Sequence, residues 1–221
     1  MAKWRLTKPL RPLRIGLDLD GVLALFDQPA LDKMRLIQPE GISDVVFDDI
    51  EQPDRWGWTG HHGITRETNR EFWKQVNGRD AEFWYRLRPT ACVTDELRTY
   101  LRSPDVHPYY ITSRPFGALK WTQQWLDQHD LPGTMLLAKS GTKGHLAHAL
   151  GLHGMIDDKP ENLTDVLSQC KLSCVPILLD KPWNKTTEHP YLLRVGTVKE
   201  GLALLEQAAQ DERDSRIDIA R

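Results

Sequence analysis

The stretch "IGLDLDGVLALF" (Ile15–Phe26) sets two aspartates one residue apart where an apolar run ends, with a glycine directly behind them. Ile15 and Leu17 have the period of a strand, and Gly21 permits the sharp turn that ends it. Short apolar runs closed by turn residues recur along the chain: "HPYYITS", "TMLLAKS", "GMIDD" and "VPILLD". Between several of them lie stretches with helical spacing, such as Val93, Leu97 and Leu101, or Leu119, Trp125 and Leu126. Strands alternating with helices predict an α/β fold of Rossmann-like type, a parallel sheet flanked by helices on both faces.

In such a sheet ligands bind beyond the carboxyl ends of the strands. The residues closing each run therefore form a candidate rim: Asp18 and Asp20, Thr112 and Ser113, Lys139 and Ser140, Asp157 and Asp158, and Asp180. Any one of these residue types can simply cap a helix or turn a corner. Carboxylates, hydroxyls and a lysine converging from separate parts of the chain point instead to chemistry. The acids of "DLD" and "DD" would repel one another unless a cation sat among them, and hard oxygen ligands with few imidazoles or thiols favour Mg²⁺. Beside such an ion one carboxylate can attack phosphorus to form an aspartyl-phosphate, while a second protonates the leaving oxygen and then activates water. Thr112 or Ser113 and one lysine would supply the donors and fixed charge that a phosphoryl group needs.

At 221 residues, with 40% hydrophobic and 27% charged residues and a formal net charge of -2, the chain reads as one soluble core with an elaboration. That balance argues against a nucleic-acid binder selected for basicity. Cys92, Cys170 and Cys174 are too few and too irregular for a disulfide framework or a zinc knuckle, which predicts a cytoplasmic location. The basic arm "MAKWRLTKPLRPLR" lacks an apolar export region, and no run is long enough to cross a bilayer, so neither export nor membrane insertion is expected.

One segment breaks the alternation. Residues 27–88 are rich in Trp, Asp, Glu, Arg and Gly, and include "TRETNREFWKQV", which reads as a helix capped by Thr65. Four of the eight tryptophans (Trp56, Trp58, Trp73, Trp84) fall here, which speaks against disorder. The predicted organisation is a core of residues 1–26 and 89–210, a small, mainly helical cap of residues 27–88 lying over the rim, and a frayed charged tail from 211 to 221. The last helix is expected to start at Thr197. His145 and His148 share a helix face, but without a third convincing ligand zinc is set aside. "SGTK" lacks most of a phosphate-loop pattern, so an ATPase is rejected.

The constellation resembles the haloacid dehalogenase-like phosphohydrolases, with "DLDGV" matching the nucleophile loop, "ITS" the phosphate-binding hydroxyl, a lysine opening a helix, and "IDD" the metal carboxylates. The resemblance implies Asp18 as nucleophile and Asp20 as general acid/base and, through its backbone carbonyl, a metal ligand. It also implies Asp157 or Asp158 as the remaining protein ligand to Mg²⁺. Placement just before a helix favours Lys143 over Lys139 as the active-site lysine.

Finer features, "DLDGVLALF", "EFWYRLRPTACV", "TSRP", "IDDKPEN" and "LLDKPWNK", resemble the 5′(3′)-deoxyribonucleotidases. That resemblance implies Phe26 flanking a nucleoside, with Trp73 or Trp84 completing an aromatic wall; the alternative for each tryptophan is a place in the cap's own small core. Leu25, where the family has an acid, and Arg114, between Ser113 and Pro115, depart from its pattern. The expected activity is Mg²⁺-dependent dephosphorylation of (deoxy)nucleoside monophosphates. The alternatives are another phosphomonoester, such as a sugar phosphate or a nucleic-acid end, or a non-catalytic binding module. The expected partner is a small-molecule phosphomonoester; no membrane or nucleic-acid partner is expected, and a homodimer is left open.

Overall fold

The computed structural model describes residues 12–47, 53, 54 and 60–219; Trp56, Trp58 and the basic arm as far as Arg11 lie outside the described residues. Its elements run β1 (Leu13–Leu17), β2 (Ala24–Leu25), α1 (Asp27–Ile37), α2 (Arg66–Val76), a 3₁₀ turn (Ala81–Tyr85), β3 (Arg88–Pro89), α3 (Asp95–Leu101) and β4 (Val106–Thr112). They continue with α4 (Leu119–Gln128), β5 (Thr134–Leu137), α5 (Gly144–Leu150), β6 (Gly154–Asp157), α6 (Pro160–Cys170), β7 (Val175–Leu179), β8 (Leu193–Val195) and α7 (Val198–Ile219).

Six strands form one sheet in the order β5-β4-β1-β6-β7-β8, every neighbour parallel. From β1 the chain builds outward through β4 and β5, then crosses back to place β6, β7 and β8 on the other side. The carboxyl ends of β4, β1 and β6 therefore lie side by side where the order reverses, the position at which an open α/β sheet leaves a crevice.

Alternating side chains serve two cores, as a two-fold strand period requires. Tyr110, Ile156 and Ile177 enter one apolar cluster, while Ile111, Met155 and Leu178 enter a second, with Ala147 of α5 and Leu163, Val166 and Cys170 of α6. Glycine at position 154 allows a close approach, since a Cβ there would meet the Leu205 side chain of α7, which packs on β6.

Between β1 and α3 lie β2, α1, α2, the 3₁₀ turn and β3. The β2–β3 pair, Ala24 opposite Pro89 and Leu25 opposite Arg88, ties the two ends of this segment together. Thr65 caps α2 by accepting from the Thr68 amide at 3.1 Å, as its sequence suggests. Phe72 and Val76 of α2 and Phe83 and Trp84 of the 3₁₀ turn are buried with Phe26, and the Trp84 indole donates to the Val76 carbonyl at 2.9 Å. At the other end of the chain, Thr197 accepts from the Glu200 amide at 3.2 Å as α7 begins. The helix runs on to Ile219, past Asp211, where the charged composition predicts fraying. "DERDSRIDI" contains neither glycine nor proline to stop it.

Candidate active site

β1 ends in the core, and the Asp18 amide extends its ladder by donating to the Ile156 carbonyl at 3.0 Å. Asp18 is thereby fixed beside the end of β6, where Asp157 and Asp158 follow Ile156. All three acids are buried, and one oxygen of each lies within 4.8 Å of the others. Gly21 has φ +85°, and a Cβ on it would stand 2.6 Å from Asp158 Oδ2. A side chain here would displace the acid, so this turn needs glycine for both conformation and space.

Lys143 is buried at the start of α5, its Nζ 2.7 Å from Asp18 Oδ1 and 2.8 Å from Asp157 Oδ2. Burial alone would lower its pKa, but the Asp157 and Asp18 carboxylates outweigh burial and hold it above the ordinary lysine value. Lys139 is exposed, its carbonyl accepting from the Thr142 amide and hydroxyl. Of the two candidate lysines, then, the structure brings Lys143 to the acids. Asp157 is further held by the Asn162 amide, 3.0 Å from both carboxylate oxygens, and by the Lys159 amide at 2.9 Å.

Asp158 is different. Neither of its buried carboxylate oxygens has a hydrogen-bond partner among the described residues, although the Asn184 side chain donates to its backbone carbonyl at 2.8 Å. Burial, reinforced by the Asp157 and Asp18 charges, pushes its pKa well above the usual carboxylate range. A buried carboxylate with no hydrogen-bond donor among the described residues, beside two further buried acids, is a donor set that a hard divalent cation would satisfy. The three acids fit Mg²⁺.

The side chain of Asp20 turns the other way. Arg114 grips it from the loop after β4, with Nη2 2.7 Å from Oδ1 and Nε 3.1 Å from Oδ2. Of the metal residues expected from sequence, Asp18, Asp157 and Asp158 are brought together, and the Asp20 carboxylate is not part of that acid trio. Thr112 is buried and its Oγ1 accepts from the Arg114 amide at 3.2 Å, whereas Ser113 is exposed. Asp180, the last acid on the predicted rim, is exposed, paired with Arg194 at 2.6 Å, and not among the three clustered acids.

Phe26, Trp73 and Trp84 do form one aromatic cluster. The Phe26 ring stacks on Trp84 at 5.7 Å and 11° and on Trp73 at 5.9 Å and 20°. Phe26 and Trp84 are buried, while Trp73 is 39% exposed. The Trp84 ring also faces the Arg114 guanidinium at 5.1 Å. Trp84 thus takes the core place that was the alternative for it, and Trp73 is the tryptophan of this cluster left accessible.

Sequence reasoning passed over Asn162, Asn184 and Asp27. The two asparagines stand in "IDDKPEN" and "LLDKPWNK", and a buried polar residue shortly after an acidic strand end was the available signal. Asp27, in the first turn of α1, has a covered Oδ1 without a hydrogen-bond partner and lines a small cleft with Gly21, Phe26, Arg88, Lys181 and Trp183. Burial, opposed by Lys181 and aided by Asp20, raises its pKa to about 7.

A family model described as "5' nucleotidase, deoxy (Pyrimidine), cytosolic type C protein" matches residues 11–209. Among solved structures, the chain is similar to a putative beta-phosphoglucomutase from Thermotoga maritima at 14% identity and TM-score 0.54, over 88% of this chain and 99% of that one. A haloacid dehalogenase-like hydrolase from Xanthomonas campestris shows 15% identity and TM-score 0.53 over 92% and 100%. A HAD family hydrolase from Deinococcus radiodurans R1, solved with bound phosphate and sodium, shows 16% identity and TM-score 0.53 over 90% and 97%. At these identities the likeness is one of fold. Among curated protein sequences none matches.

Proposed function

Because this chain belongs to the deoxy (pyrimidine) 5′-nucleotidase family of cytosolic type C, within the haloacid dehalogenase-like phosphohydrolases, we propose that it is a Mg²⁺-dependent phosphomonoesterase acting on (deoxy)nucleoside monophosphates. The observation that carries this reading is the buried group Asp18, Lys143, Asp157 and Asp158 at the reversal of strand order, with the Asp158 carboxylate lacking a hydrogen-bond donor among the described residues.

Asp18, Asp157 and Asp158, with the Asp20 carbonyl, would hold Mg²⁺, which when bound supplies positive charge to the phosphoryl oxygens. Asp18 attacks phosphorus and the ester P–O bond breaks, leaving an aspartyl-phosphate; the departing oxygen takes a proton from the Asp20 carboxyl. Water then attacks the aspartyl-phosphate, Asp20 takes back a proton, and inorganic phosphate leaves as Asp18 is restored. Lys143 holds Asp18 in place and offsets charge near the transferred group, while Thr112 or Ser113 donates to a phosphoryl oxygen. The segment of residues 27–88 serves as a cap, with Trp73 as the accessible face for a base. A cytoplasmic location belongs to the same reading; it is supported by the family's description as cytosolic and by the small number of cysteines. No helix among the described residues is long and apolar enough to cross a membrane.

Phosphate release from a panel of nucleotides and sugar phosphates, with and without Mg²⁺, tests the reading. Nucleotide hydrolysis that needs Mg²⁺ and vanishes in Asp18→Asn is expected; turnover by that variant would remove Asp18 as nucleophile. The burial of Phe26 and Trp84 favours a second reading, a non-nucleotide phosphomonoester, since it leaves Trp73 to face a base. Trp73→Ala separates the two. If a base stacks there, the nucleotide KM rises about tenfold with little change for p-nitrophenyl phosphate, a size that follows from stacking worth about 1–3 kcal/mol. Equal KM values in variant and parent would favour the second reading.

A further inference from the structure

An arginine in a phosphate-binding loop is ordinarily a clamp for the phosphate itself, because its planar fork matches an oxyanion. Arg114 is committed differently in this arrangement. Its side chain is fully buried, and all three of its nitrogens already make a hydrogen bond: Nε and Nη2 to Asp20, and Nη1 to Thr122 Oγ1 at 3.3 Å. The guanidinium faces Trp84 at 5.1 Å and Trp125 at 5.6 Å. Each indole is itself tied down, Trp84 to the Val76 carbonyl and Trp125 to the Leu87 carbonyl at 2.7 Å. Asp20 is the carboxylate that the structure places on Arg114.

We propose that Arg114 is a positioning residue for phosphoryl transfer, which holds the Asp20 carboxyl by a two-point grip so that it meets the leaving oxygen and then the water. The inference rests on the phosphatase reading above and extends it. A single-bonded carboxylate rotates about its Cβ–Cγ bond and sweeps an arc; two donors from one rigid plane remove that freedom, and proton transfer depends on such placement. The same loop passes through Thr112, whose hydroxyl accepts from the Arg114 amide. The loop that offers a donor to the phosphoryl group thereby also sets the acid that serves the leaving oxygen. Because Trp84 comes from the segment between β1 and β4, that segment helps to fix the guanidinium.

A misplaced general acid matters only when the leaving group needs a proton, and this decides the test. Arg114→Lys keeps the charge but loses the fork; Arg114→Met keeps the volume and loses both. With each variant checked for native circular dichroism, kcat/KM is measured for phenyl phosphate, p-nitrophenyl phosphate and a deoxynucleoside monophosphate. In Arg114→Lys we expect a loss of about 10–100-fold for phenyl phosphate and the nucleotide, less than about threefold for p-nitrophenyl phosphate, and unchanged KM values, given that positioned acid catalysis contributes about 10²–10⁴-fold. Placing Arg114→Lys on Asp20→Asn should add nothing further, because the two residues act as a unit. A raised KM with kcat kept would instead make Arg114 a phosphate clamp. Equal losses on all substrates, or additive losses with Asp20→Asn, would make its role structural, and either result overturns the proposal. If the parent enzyme cleaves the aryl phosphates but not nucleotides, the nucleotide reading fails while the aryl pair still decides the role of Arg114. If it cleaves none of the three, both fall.

Discussion

The two aspartates of "DLD" stand one residue apart and live in opposite electrostatic settings. On the β6 side Asp18 joins Asp157 and Asp158, three buried carboxylates around the buried ammonium of Lys143, and the Asp158 carboxylate has no hydrogen-bond donor among the described residues. On the β4 side Asp20 meets one guanidinium that matches it charge for charge and oxygen for oxygen. The first setting is short of positive charge and the second is complete. A chain tolerates buried, uncompensated carboxylates at a cost of stability where their purpose is to receive a cation and a phosphoryl group. The complete pair is suited to hold one group still.

The most severe way to break this contrast is Lys143→Met, which removes the buried ammonium that Asp18 and Asp157 share. We expect a loss of about 3–5 kcal/mol in urea unfolding without Mg²⁺, the range for a buried pair stripped of one partner, together with loss of phosphate release. Lys139→Met, at an exposed site, should stay within about 0.5 kcal/mol. The reverse order between the two lysines would mean that the ammonium over Asp18 had been assigned to the wrong residue.

A milder change sharpens the contrast in the opposite direction. Asp158→Asn removes a charge that burial and two neighbouring acids oppose, so the metal-free protein should melt about 2–4 °C higher near neutral pH, the shift that about 1 kcal/mol gives for a chain of this size. Mg²⁺ should raise the parent's Tm by mass action and leave the variant's unchanged. An equal response to Mg²⁺ in both proteins would take Asp158 out of the metal site.

The last expected effect is a pH dependence and concerns Asp27, just outside both settings. Its folded-state pKa of about 7 stands above its ordinary value of 3.8. Between those values the folded chain binds more protons than the unfolded one, so stability falls as pH rises through that window. Asp27→Asn should therefore be more stable than the parent at pH 8, with the difference closing toward about pH 4. Denaturant midpoints across that range measure it, and a difference independent of pH would show that the carboxyl is already solvated.

Much of this could be read along the chain because it depends on local pattern. Ile15 and Leu17 mark β1 by their period, the acids and hydroxyls that close β1, β4 and β6 fall on one rim, and Thr65 caps α2 where its spacing says it should. The choice of Lys143 before α5 rests on the family resemblance, and the structure puts its ammonium against Asp18. Trp84 was ambiguous, since nothing local tells an aromatic that lines a cleft from one that packs beneath it; its ring lies on Phe26 and Arg114. Arg114 showed only as an oddity within "TSRP", and Asp180 looked like a rim acid until Arg194 met it at 2.6 Å.

The sequence by itself determined which residues reach the ends of the strands, because side chains alternate along a strand and turns need particular residues such as Gly21. Only the tertiary structure decided what each of them faces. The order β4-β1-β6 puts Asp18 toward the acids of β6 and Asp20 toward the loop after β4. Those pairings join positions 94 residues apart for Asp20 and Arg114, and no periodicity within a segment encodes a contact across a sheet.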